Sequence, residues 1–196
     1  MSKKSQKSTT ELICTADKQV IPFGQECTRI LEIEVTAPDM ADINVKPPLN
    51  LSLVIDRSGS MRGEKLHFAK QAASHLIDLL DESDRVGIVM YDSEIEVISP
   101  SRTMSAANKT LVKSELQRIA SRGSTNLFDG WLKGCHLVAE NEIQNSFNRT
   151  LLLSDGMANQ GLTNLDEIAT HTSGLFQRGV STSCFGIGVN YNEHLL

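Results

Sequence analysis

The chain has 196 residues, of which 40% are apolar and 22% charged, with a formal net charge of −5. An ordinary soluble core is within reach at that length and composition. The acidic balance argues against nucleic acid or an anionic membrane surface as the main partner.

No apolar run approaches the roughly 20 residues needed to span a bilayer, and the amino end lacks the apolar stretch of a signal peptide. Membrane insertion is not expected, and a cytoplasmic location is the default. Cys14, Cys27, Cys135 and Cys184 show no C-x-x-C spacing, so neither a zinc site nor a disulfide framework is indicated.

Residues 1–10 read as a disordered tail, because Ser and Thr interleave Lys3, Lys4 and Lys7. From 11 to 37 the pattern turns to strand. Leu31, Ile33, Val35 and Ala37 alternate with Glu32, Glu34 and Thr36, as in a half-buried strand. Two or three strands make a poor independent domain, so this stretch is expected to be part of a small β-sandwich. Residues 38–48 read as a linker that Pro47-Pro48 stiffens.

Then comes LNLSLVIDRSGSM, Leu49–Met61. Its apolar run reads as a buried, parallel strand. At its end Asp56, Ser58 and Ser60 occupy alternate positions, which an extended segment places on one side, while Gly59 lets the backbone bend. Hard oxygen donors in a compact cluster suit a small hard cation, Mg²⁺ first.

Residues 64–80 predict a helix with Leu66, Ala69, Ala73, Leu76, Ile77 and Leu80 on one face and His67 and His75 on the solvated one. Val86–Tyr91 predicts a second buried strand, and Glu94–Ser99 an antiparallel edge strand that Pro100 ends. Further helices are predicted over 105–119, with Leu111, Leu116 and Ile119 inward, over 126–142 and over 165–176. Strands are predicted over 149–153 and 180–188. Gly130 and Gly134 in the third helix imply close packing against the sheet or a loop. Asn190–Leu196 resembles a cap and the start of a helix, which suggests a truncated chain.

Strands alternating with helices define the fold class: α/β, doubly wound, with a mostly parallel central sheet and one antiparallel edge strand, preceded by the amino-terminal β-strands. In such sheets sites form at the carboxyl ends of strands, where Asp56 and Asp155 both fall.

Asp56-x-Ser58-x-Ser60, then Thr125 within Gly123-Ser124-Thr125-Asn126-Leu127, then Asp155 within Ser154-Asp155-Gly156, together resemble the von Willebrand factor A domain. The resemblance covers 49–196 and implies a Rossmann-like fold with a metal-ion-dependent adhesion site. It implies that Asp56, Ser58, Ser60, Thr125 and Asp155 hold Mg²⁺, with Mn²⁺ or Ca²⁺ as alternatives. It further implies a protein partner whose Asp or Glu completes the coordination. Arg57, Met61, Arg62, Asp92, Ser93, Asn159 and Gln160 would form the rim that selects this partner. Asp129, one turn beyond Thr125, reads as an exposed helix carboxylate.

No catalysis is expected. A phosphohydrolase of the haloacid dehalogenase type would need an acid two residues after its Asp nucleophile, and Ser58 stands there. A scaffold or accessory subunit that keeps the fold without using the metal is the other alternative.

Overall fold

The computed structural model describes residues 10–18, 20, 22–24, 26–37, 46–144 and 146–196. All but the last residue of the predicted tail and most of the predicted linker lie outside these residues. The chain divides into two units, 1–46 and 47–196.

In the first unit β1 (Glu11–Ala16) pairs antiparallel with β2 (Leu31–Thr36). Leu12, Cys14 and Ala16 register with Val35, Ile33 and Leu31, so one face of this ribbon is apolar. The alternation is as predicted, but the burial is not. Leu31, Ile33 and Val35 are 60%, 59% and 64% exposed, since among the described residues no second layer covers them.

The second unit runs β3 (Leu49–Asp56), α1 (Glu64–Leu79), β4 (Arg85–Tyr91), β5 (Ile95–Thr103), α2 (Ala106–Gln117), α3 (Leu127–Ala139), β6 (Phe147–Ser154), α4 (Leu165–Gln177) and β7 (Ser181–Gly186). Its five-stranded sheet has the order β5-β4-β3-β6-β7. All neighbours are parallel except β4 and β5. This is the predicted fold class.

Alternate residues of β3 serve two cores. Leu51, Leu53 and Ile55 pack with Leu66, Ala69, Ala73 and Ile77 of α1 and with Val112 and Leu116 of α2. Val54 faces the other way, with Val89, Tyr91, Leu127 and Leu152. Each of the leucine, isoleucine and valine side chains contributes about 1.5–3 kcal/mol on burial. In α2 the inward residue is Val112 and not Leu111, which is 42% exposed.

The two helix glycines are seats. A Cβ on Gly134 would lie 2.2 Å from Val54 Cγ2, and one on Gly130 would lie 2.5 Å from Tyr91 Cγ. Both mark where α3 rests directly on β3 and β4. The edge strand β5 does not stop at Pro100; it continues to Thr103 through register shifts opposite Gly87. A proline needs no ladder donor at a bulge on an edge strand. Residues 190–196 form turns, with the side chain of Asn192 accepting from His194 N–H at 3.2 Å, and no helix begins there.

Candidate metal centre

The sheet order places a switch point between β3 and β6. The chain leaves β3 toward β4 on one side and leaves β6 toward β7 on the other, so a crevice opens beyond their carboxyl ends. Ile55 pairs with Leu153, which makes Asp56 and Ser154 the next residues of adjacent strands.

Asp56 is fully buried there with both oxygens engaged. Ser58 N–H donates to Oδ1 at 2.8 Å and Ser154 Oγ–H to Oδ2 at 2.6 Å. Burial raises its carboxyl above the ordinary value of 3.8; the hydrogen bonds from Ser154 and Ser58 offset part of this, and the nearby Asp155 charge adds to it. Beneath lies Tyr91, fully buried, its phenol pushed well above its usual range by desolvation and by Asp56.

Ser58 and Ser60 do converge, by a route that alternation did not predict. The strand stops at Asp56, Ser58 stays extended, and Gly59–Met61 coils into a 3₁₀ turn that brings the two Oγ atoms to 3.1 Å. Gly59 N–H donates to Gly123 O at 3.1 Å, and Arg122 N–H donates to Arg57 O at 2.8 Å, tying this turn to the loop that carries Thr125. Gly123 has φ +69°, and a Cβ there would lie 2.9 Å from Ser93 Oγ, so glycine serves this crossing on both counts.

Thr125 is buried at the start of α3. Its N–H donates to Asn159 Oδ1 at 2.9 Å, while Asn159 N–H returns to Thr125 O at 3.1 Å. The loop after β6 is thereby stapled to the loop before α3. Asp155, also fully buried, follows Ser154 and accepts from Lys65 Nζ at 2.8 Å on Oδ2. Its Oδ1 accepts a longer bond, 3.3 Å, from Met157 N–H. Asp129 is exposed and accepts from Asn126 Nδ2 at 2.8 Å.

The predicted rim splits. Arg62, Ser93, Asn159 and Gln160 are exposed. Met61 instead lies fully inside the core beside Leu66 and Ala69, because the 3₁₀ turn points its one large apolar side chain inward. Arg57 and Asp92 are buried against each other, Nε to Oδ2 at 2.7 Å, and Arg122 Nε reaches the same oxygen at 2.8 Å. Burial works against Asp92's charge, yet the Glu94 N–H and the two guanidinium groups outweigh it and hold its carboxyl below 3.8. These two residues brace the loops from inside and are buried rather than exposed at the rim. Ser154 and Lys65 were not among the expected site residues. Ser154 had a signal, a polar residue ending an apolar run; Lys65 on the first turn of a helix had none.

The donor set fits a hard divalent cation. Among the described residues no three His, Cys, Asp or Glu side chains cluster. What gathers at this edge is hydroxyls and two buried carboxylates, the oxygen chemistry of Mg²⁺ more than the nitrogen and sulfur chemistry of a structural zinc site.

Fold and site together define an α/β domain with its polar centre at the carboxyl edge of the sheet. The model of the von Willebrand factor type A domain matches residues 50–196, and the chain belongs to that family. Relatives include YfbK of Escherichia coli (strain K12), 29% identical over 177 residues, 89% of this chain and 30% of that protein. Human inter-alpha-trypsin inhibitor heavy chain H4 is 29% identical over 155 residues, 76% of this chain and 17% of that protein. The chain thus spans less than a third of these curated relatives.

Among solved structures, a von Willebrand factor type A protein from Catenulispora acidiphila aligns at TM-score 0.68 and 18% identity, covering 100% of this chain and 44% of that one. Proximal thread matrix protein 1 of the mussel byssus, solved with a zinc-occupied MIDAS motif, aligns at TM-score 0.56 and 18% identity, covering 76% and 41%. Among the described residues no helix is long and apolar enough to cross a membrane.

Proposed function

We propose that this domain holds a divalent cation through Asp56, Ser58, Ser60, Thr125 and Asp155 and uses it to bind an acidic side chain of a partner protein. The observation that carries this reading is the pair of buried carboxylates, Asp56 and Asp155, at one sheet edge beside a converged pair of serine hydroxyls. Two buried anions side by side are costly unless a cation compensates them. Mg²⁺ is the first choice and Mn²⁺ or Ca²⁺ the alternatives. The zinc-occupied site of the mussel neighbour supports the general placement.

Ser58 and Ser60 present neutral lone pairs to the crevice. Asp56, immobilised by Ser58 N–H and Ser154 Oγ, serves as a fixed acceptor, and Asn159 holds the Thr125 backbone in register. With so few charged donors, a bound divalent ion supplies an electron-poor centre to which one external carboxylate oxygen can bind. Exposed Arg62 and Gln160 lie in the flanking loops. Ser58, two residues after Asp56, offers no acid for phosphoryl transfer, so the proposed role is binding and not catalysis.

A second reading, a scaffold that does not use metal, draws on one observation: Lys65 already sits on Asp155. Capture of a partner with Mg²⁺ present separates the two. The binding reading expects capture to be lost with chelator, on Ser58→Ala and under an excess of a short acidic peptide. Capture indifferent to all three would leave only the scaffold.

A further inference from the structure

We infer that Lys65 is a tethered competitor of the divalent cation: its ammonium group holds Asp155 Oδ2 and is displaced when the ion binds. The inference rests on the metal-site reading above and adds what sets its affinity.

Three independent features converge on this lysine. Its Nζ lies 2.8 Å from Oδ2 of a fully buried carboxylate while the lysine side chain itself stays 29% exposed, so the ammonium group sits where protein meets solvent and has somewhere to go. Its stem has a close neighbour. Gly188, whose φ of +91° after β7 favours glycine, lies alongside it: a Cβ there would stand 2.9 Å from Lys65 Cε, 3.6 Å from Cδ and 3.7 Å from Cγ, so the stem runs close against this backbone. Lys65 also occupies the first turn of α1, the positive end of the helix dipole, where a cation is electrostatically misplaced unless an anion holds it.

The charge distribution explains the consequence. Asp56 is held by neutral donors alone, and among the described residues no cation pairs with it. One ammonium group therefore serves two adjacent buried carboxylates, which leaves a residual negative charge to draw in a divalent ion. That ion must still take Oδ2 of Asp155 from Lys65. The lysine keeps the two acids compatible with folding and, by the same contact, weakens metal binding.

Calorimetric titration of the full chain with Mn²⁺ and Mg²⁺, alongside thermal melting in chelator, tests this. Lys65→Met, which keeps the stem and removes the charge, should tighten Mn²⁺ binding about tenfold, or about 1.4 kcal/mol. Its melting midpoint in chelator should fall and the midpoint rise on adding Mn²⁺ should grow. Lys65→Gln, which keeps a hydrogen bond to Asp155, guards against a variant too unstable to fold and should tighten binding by a smaller factor. An equal or larger dissociation constant in both variants, with binding intact in the wild type, overturns the competition and leaves the metal site standing. No binding heat in any of the three proteins overturns the metal site, and this inference with it.

Discussion

Ser154 donates its hydroxyl hydrogen to Asp56 Oδ2 across 2.6 Å while accepting Gly156 N–H at 2.9 Å, and so locks the ends of β3 and β6 together under the site. Removing that hydroxyl leaves a buried carboxylate oxygen and a buried amide without their partner. Ser154→Ala should destabilise the protein by about 1–3 kcal/mol, read from denaturant unfolding, and weaken divalent binding as well. Unchanged stability would mean that water replaces the hydroxyl at no cost.

Asp56 makes the metal-free protein less stable as pH rises. Burial raises its carboxyl above 3.8, so the folded state keeps this proton to higher pH than the unfolded chain does. The stability tied to that proton is present below 3.8 and is lost as pH rises through the raised value. Asp56→Asn should therefore melt higher than wild type at pH 7 in chelator, yet gain nothing from Mg²⁺ or Mn²⁺. A lower melting point in chelator would contradict this account of Asp56.

Asp92 runs the other way. Burial opposes its charge, but the Glu94 N–H, Arg122 and Arg57 together hold its carboxyl below 3.8. Its contribution is present above that value and is lost as pH falls through the depressed one. Asp92→Asn should flatten the acid limb of the stability profile and lower the melting point at pH 7, since buried Arg57 then keeps only its longer, 3.6 Å contact with the exposed Glu96 carboxylate.

The helix glycines separate packing from propensity. Gly134→Ala should cost about 1–3 kcal/mol, because its methyl group would fall 2.2 Å from Val54 Cγ2. Gly174→Ala in α4, where a Cβ meets nothing within 4 Å, should stabilise by about 0.5–1 kcal/mol. Equal effects from the two would contradict the close seating of α3 on β3.

Most of the second unit was legible in the sequence because its signals are local. Leu66, Ala69, Ala73 and Ile77 carry the helical period, and Leu51, Leu53 and Val54 sit in a run too apolar for a surface strand. The positions of Asp56 and Asp155 at strand ends were legible too, and Ser58 and Ser60 stand together at 3.1 Å, whereas Thr125 entered only through the family resemblance. Side-chain direction in the loops was not. Met61 turned inward with a 3₁₀ turn that no spacing announces, and Arg57 met Asp92, a residue to which no local pattern links it. Lys65 stayed invisible for a related reason: its partner, Asp155, lies 90 positions along the chain. The first unit shows the limit of periodicity, which marked the apolar face of β2 correctly but says nothing of what, if anything, lies against it.

The central claim is that one divalent ion sits among Ser58, Ser60, Thr125 and the two aspartates with a position open to a ligand. The most direct test is the anomalous scattering of crystals grown with Mn²⁺. A single strong peak in contact with the Ser58 and Ser60 hydroxyls, absent from Ser58→Ala, is the predicted result. Saturating Mn²⁺ with no peak at that edge of the sheet, or with peaks only on exposed acidic side chains, would contradict it.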